Sequence, residues 1–273
     1  MGLTGERRIT MALPSTILKV LKKRPLSYTV LVVFVLDRSL SMSEPKTYDH
    51  RGKWDHLVEL VEKLLYRLNR SNMAPAFRVG FVWFSDDVAV VERGGQVYFP
   101  VTGDNPALQA FKESLNENEP YGMTAMADAI EQAMGVVERY ISDTSLPSEK
   151  YVTVFLFTDG KETKRTPEDV ATAAEKLTGE MLAKLQELNQ RNRIGLATIA
   201  LGLDADRETL RDIASFLREA QRKVLEERGL IDIVDPPYHE KMFIDAPRDD
   251  RITKEWEEAV RRFVERLSET AVL

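Results

Sequence analysis

Three oxygen-bearing side chains, Asp37, Ser39 and Ser41, follow directly on the apolar run VLVVFVL of residues 30–36. A second acid, Asp159, closes another apolar run, YVTVFLFT at 151–158. A carboxylate beside a core is costly unless it is paired, hydrogen-bonded or bound to a metal. Carboxylates and hydroxyls together form a hard-oxygen donor set. Mg2+ takes such ligands in near-octahedral geometry and keeps waters and open positions; Mn2+ suits the same donors. The plainer alternative is that Ser39 and Ser41 cap turns while Asp37 accepts hydrogen bonds from backbone amides.

The elements that must position these residues are legible as alternating periods. Residues 29–36, 151–160 and 193–202 are continuous apolar runs of the kind found in central parallel strands covered on both faces. FRVGFVWF at 77–84 is a further strand, followed by a tight turn at Ser85–Asp86–Asp87 and an edge strand over 88–92. Turn chemistry accounts for Asp86 and Asp87 without a ligand role. Helical spacing of Trp54, Leu57, Val58, Val61, Leu64, Leu65 and Leu68 marks a helix over 53–69. Further helices begin at Asn105–Pro106, run over about 125–141, and open at the capping box Thr166–Pro167–Glu168–Asp169, continuing to about 190. Asp206 caps another helix, a short strand falls at 241–246, and 252–268 form a closing helix.

The expected fold is α/β: a three-layer α/β/α Rossmann-like arrangement around a mostly parallel sheet with one antiparallel edge strand. One domain over 28–270 is the simplest division, with a loop insertion at 229–240 and a basic leader or arm at 1–27. In open parallel sheets ligands bind outside the carboxyl ends of the strands, where Asp37 and Asp159 lie.

Composition narrows the classes further. The chain of 273 residues carries a net charge of −6 and no cysteine. That excludes disulfides, zinc–thiolate sites and cysteine nucleophiles. The acidic balance argues against a nucleic-acid partner. No apolar run reaches the roughly 20 residues of a membrane span, and the expected location is cytoplasmic.

The motifs resemble the von Willebrand factor type A (vWA) domain, the integrin-I-like fold, over about 28–268. The family's metal-ion-dependent adhesion site is written D-x-S-x-S, then a threonine, then an aspartate. Here the first element is Asp37-Arg38-Ser39-Leu40-Ser41; GMTAMADAI supplies Thr124, and LFTDG supplies Asp159. The resemblance implies that Ser39 and Ser41 ligate Mg2+ (or Mn2+) directly and that Thr124 does so directly or through water. Asp37 and Asp159 would act largely through waters, and a Glu or Asp of a partner protein would complete the octahedron. It also implies a non-enzymatic adaptor or scaffold, in the manner of stand-alone prokaryotic type A domains that serve large ATPase or stress-response assemblies. Leu40 stands where the family often has glycine, and Met123 where GGT is commoner. Leu40 could give a partner an apolar contact. Arg38 is either a solvated side chain or a helper for an acidic partner.

Competing chemistries have less support. His50 and His56 do not share a helix face and His239 lies in the insertion, which does not make a zinc site. G-x-S-x-G and the phosphate-loop motif are absent. A metal-assisted hydrolase, phosphatase-like and using the same ion to activate water, is the alternative, and it lacks an evident general base.

Overall fold

The computed structural model describes residues 27–44, 52–160, 162–190, 192–211, 213 and 243–245. The strand β1 (Tyr28–Asp37) is buried along its whole length. It pairs in parallel with β2 (Phe77–Phe84) on one side and with β5 (Glu149–Thr158) on the other. β6 (Arg193–Ala200) extends the sheet beyond β5 and β7 (Phe243–Asp245) lies outside it, both parallel. The other edge is antiparallel. β3 (Val88–Val90) pairs with the carboxyl half of β2, and β4 (Phe99–Pro100) pairs with its amino half. The order is β3-β2-β1-β5-β6-β7, with β4 beside β2.

This is the mostly parallel sheet expected from the sequence, with an antiparallel edge. The second edge strand, β4, is two residues long and has no alternation for a pattern to reveal. The first edge strand ends at Val90, short of the expected residue 92.

Strand alternation assigns β1 to two cores. Val30, Val32, Phe34 and Leu36 face the helices α1 (Lys53–Arg70) and α2 (Pro106–Leu115). Leu31, Val33 and Val35 face α3 (Met126–Ser142) and α4 (Pro167–Leu188). Each fully buried Val, Leu or Phe contributes roughly 1.5–3 kcal/mol relative to an exposed one. A β1 buried on both faces therefore anchors all three layers.

Helix starts follow their signals. Asn105 accepts from the Leu108 amide at 3.2 Å, with Pro106 at the first helical position. Thr166 and Asp169 form the reciprocal capping box. On α3, Met126, Ile130 and Val137 are buried, while Met134 and Ile141 are only partly covered. Asp206 accepts from the Thr209 amide at 3.1 Å, and a helical turn begins beyond it. The arm at 1–27, apart from its last residue, the 229–240 insertion and the closing helix at 252–268 lie outside the described residues.

The chain leaves β1 toward β2, then returns to the opposite side of β1 as β5. Loops at such a reversal diverge and leave a crevice beyond the carboxyl ends of the two strands. Here that reversal falls between β1 and β5.

Candidate metal centre

Asp37 ends β1 with no exposure at all. Its Oδ1 accepts from the Ser39 amide at 2.7 Å, and its Oδ2 accepts from the Thr158 hydroxyl at 2.5 Å. The first bond is the backbone-amide contact of the plainer alternative, and it folds the chain back over the strand end. The serines do not serve as caps there: Ser39 precedes a 3-10 turn, Leu40–Ser43, without any side-chain capping bond. Instead the Ser39 and Ser41 hydroxyls face each other at 3.0 Å.

Asp159 follows β5 directly and is 2% exposed. Its Oδ2 accepts from the Lys53 ammonium at 3.0 Å. Its Oδ1 is buried and has no hydrogen-bond partner. The two aspartates are close enough to interact. Burial, and after it the Asp159 charge, push the Asp37 carboxyl up to about 7. Like charges held near each other in a dry site raise a carboxyl in this way.

Thr124 is buried in the loop before α3. That loop is fastened to the first by the Leu40 amide on the Gly122 carbonyl (3.1 Å) and the Tyr121 amide on the Arg38 carbonyl (2.8 Å). It is fastened to the loop after β5 by the Thr124 amide on the Thr163 hydroxyl (2.8 Å) and the Thr163 amide on the Thr124 carbonyl (3.1 Å). Asp37, Ser39, Ser41, Thr124 and Asp159 therefore stand on three mutually bonded loops at one edge of the sheet.

Arg38 is neither solvated nor free to greet a partner: it is 4% exposed. Its guanidinium pairs with Asp87 at 2.7 Å and lies over the Tyr121 ring, 4.8 Å from the centroid. Tyr121 also donates to Asp87, and that bond is the first cause of the lowered Asp87 pKa. Asp86 accepts from the Met123 amide at 3.0 Å. A Cβ on Gly122, where φ is +70°, would stand 2.3 Å from Asp86 Oδ2. The Asp86–Asp87 turn thus fastens the threonine loop rather than offering ligands.

Sequence reasoning missed Lys53 and Thr158. Thr158 is the last residue of a buried strand, and its hydroxyl holds Asp37 while accepting from the Gly160 amide at 3.0 Å. Lys53 is 106 positions from Asp159 and fully buried. One signal did exist. Lys53 is the first residue of α1, where the helix dipole disfavours a cation.

The donors fit a hard divalent ion. Two hydroxyls lie side by side in the loop that bonds back to Asp37, Asp159 is close enough to Asp37 to interact with it, and one Asp159 oxygen is buried without a partner. An orphaned buried acceptor of that kind calls for an explanation, and an ion is one. No three His, Cys, Asp or Glu side chains form a ligating cluster among the described residues.

A helix-covered, largely parallel sheet with carboxylates and hydroxyls on the loops at its carboxyl edge defines the class. The chain belongs to the von Willebrand factor type A domain family, whose model matches residues 32–226. Among solved structures it is similar to the PilB minor pilin of Streptococcus sanguinis, with TM-score 0.58 at 13% identity, covering 88% of this chain and 63% of that one. It is also similar to the pilus adhesin SpaC of Lactobacillus rhamnosus GG, with TM-score 0.53 at 14% identity, covering 86% of this chain and 31% of that one. A third is proximal thread matrix protein 1 of the mussel byssus, with TM-score 0.51 at 17% identity, covering 77% and 49%. The chain spans less than two thirds of each of these three proteins, and the likeness is one of fold. No curated protein matches. Among the described residues no helix is long and apolar enough to cross a membrane.

Proposed function

We propose that this domain binds a partner protein through a divalent ion, Mg2+ or Mn2+, held by Ser39, Ser41 and Thr124 with Asp37 and Asp159 around it. When bound, the ion supplies an electrophilic position for a carboxylate of the partner. The chain's own residues do the rest. Ser39 and Ser41 offer hydroxyl oxygens, and Asp37 and Asp159 balance charge. Thr158 and the Ser39 amide keep Asp37 in place. The observation that carries this reading is the buried, partnerless Asp159 Oδ1 on the same edge as the paired serine hydroxyls.

The surroundings support a protein partner. Among the described residues six large hydrophobic side chains are exposed, and four of them, Leu40, Tyr121, Met123 and Leu203, stand on the loops at this edge. Apolar residues gathered around a polar centre are the usual make-up of an interaction patch. The sought ligand is thus a Glu or Asp flanked by apolar side chains, as an ATPase or stress-response assembly in the cytoplasm could present. The domain acts as an adaptor, offering the ion to a partner's carboxylate.

Isothermal titration with Mg2+ and Mn2+ tests the metal. Binding should occur at or below millimolar ion and be lost in Ser39→Ala/Ser41→Ala. Absence of binding to wild type, or binding untouched by the double substitution, rules the reading out.

A further inference from the structure

Lys53 is an unusual cation. Its side chain has no exposure, and its ammonium sits 3.0 Å from Asp159 Oδ2 and 2.8 Å from Asp204 Oδ1. It begins α1, where the dipole opposes positive charge. Its path also requires glycine at 202, with φ at +90°: a Cβ there would lie 2.6 Å from the Lys53 Cε. Burial, helix position and a glycine cradle all constrain one ammonium beside Asp159. Asp204 is partly exposed, with 28% of its side chain accessible. Asp159, in contrast, has one oxygen on Lys53 and the other without a partner.

Charge explains the arrangement. Asp37, Asp159 and Asp204 would carry three negative charges when ionised. Asp37 interacts with Asp159, and Asp159 shares the Lys53 ammonium with Asp204, so without a cation these neighbours would repel one another in a buried setting. One lysine leaves two negative charges, the complement of one divalent ion. We infer that Lys53 is a resident cation of the metal centre. It keeps the acids folded together when no ion is bound. By repulsion it also holds the affinity for a divalent ion low, so that filling responds to the arrival of the partner's carboxylate. This rests on the metal reading above and adds the residue that sets how tightly, and when, the ion is held.

The test compares wild type with Lys53→Met by titration with Mg2+ and by thermal melting in EDTA and in Mg2+. Loss of a nearby positive charge should tighten Mg2+ binding at least tenfold, since a like charge a few ångströms away outweighs such a factor. The variant should melt lower than wild type in EDTA and recover most of that loss in Mg2+. Lys53→Arg, which keeps the charge, should keep weak binding. A purely structural lysine predicts something else: an equal fall in melting temperature in both buffers, with Mg2+ affinity unchanged or weaker, and that result overturns the inference. If Lys53→Met does not fold, Asp204→Asn decides. It removes one acid from a partly exposed position and should weaken Mg2+ binding about tenfold; unchanged affinity overturns the inference. Wild type that binds Mg2+ through its serines, with Lys53→Met unchanged, sinks only the role of Lys53. Silence from both proteins sinks the metal reading as well.

Discussion

Two buried lysines sit at opposite ends of the sheet, and their surroundings differ in kind. Lys150, near the start of β5, donates to the carbonyls of Tyr140 (2.9 Å), Ile141 (2.8 Å) and Asp143 (2.8 Å), all at the end of α3. A cation there meets carbonyls that the helix leaves without partners, and the dipole favours it. It also lies 5.4 Å from the centre of the Tyr140 ring. Lys53 begins a helix, faces carboxylates instead of carbonyls, and leaves one Asp159 oxygen unmatched. The first lysine completes a local structure. The second is placed against local preference, which is where a fold departs from its own rules for the sake of a site.

The largest expected effect breaks the structural pole. Lys150→Met strands three helix-end carbonyls, at about 1–3 kcal/mol for each that water cannot reach. A loss of roughly 3 kcal/mol or more is expected by urea or thermal unfolding. It should be the same in Mg2+ and in EDTA. A loss that Mg2+ repairs would erase the distinction between the two poles.

The next effect sharpens the contrast from the acid side of the metal centre. The Asp37 carboxyl is raised to about 7 in the folded chain, against about 3.9 unfolded. Between those values the folded state holds a proton that the unfolded state has released, so stability falls as pH rises and levels off above about 7. Asp37→Asn removes that dependence. In EDTA at pH 8 the variant should be more stable than wild type by about 2 kcal/mol, with the gap closing toward pH 4. Its response to Mg2+ should disappear. A gap independent of pH would mean that Asp37 is not held in a strained ionised state.

The contrast also explains what the sequence could and could not reveal. β1 and β5 were legible because an apolar run ends in an acid, and Ser39 and Ser41 because their spacing matches a known motif. Thr124 was placed by the text around it. Lys53, Thr158 and the Arg38–Asp87–Tyr121 group were not legible, because each acts through residues brought close only by the sheet. Arg38 and Asp87 are separated by 49 positions, and Thr158 and Asp37 by 121. β4 escaped because two residues carry no period. Local signals such as the Thr166 box survive in the structure because both partners lie within one turn.

The smallest effect on stability separates the rim from the centre. Leu40 is 61% exposed and Met123 is 51% exposed, so neither supports the core. Leu40→Ser/Met123→Ser should change unfolding free energy by no more than about 0.5 kcal/mol. Mg2+ affinity should be untouched, since the Leu40 and Met123 contacts with the loops are made by backbone amides. A protein captured in Mg2+ and released by EDTA should instead bind about tenfold more weakly, the scale of losing one buried leucine-sized contact. If capture is unaffected, the carboxylate alone provides recognition and the apolar rim is ordinary surface. If Mg2+ affinity also falls, rim and centre are one structure, and the loops around Ser39 and Thr124 depend on side chains that point into solvent.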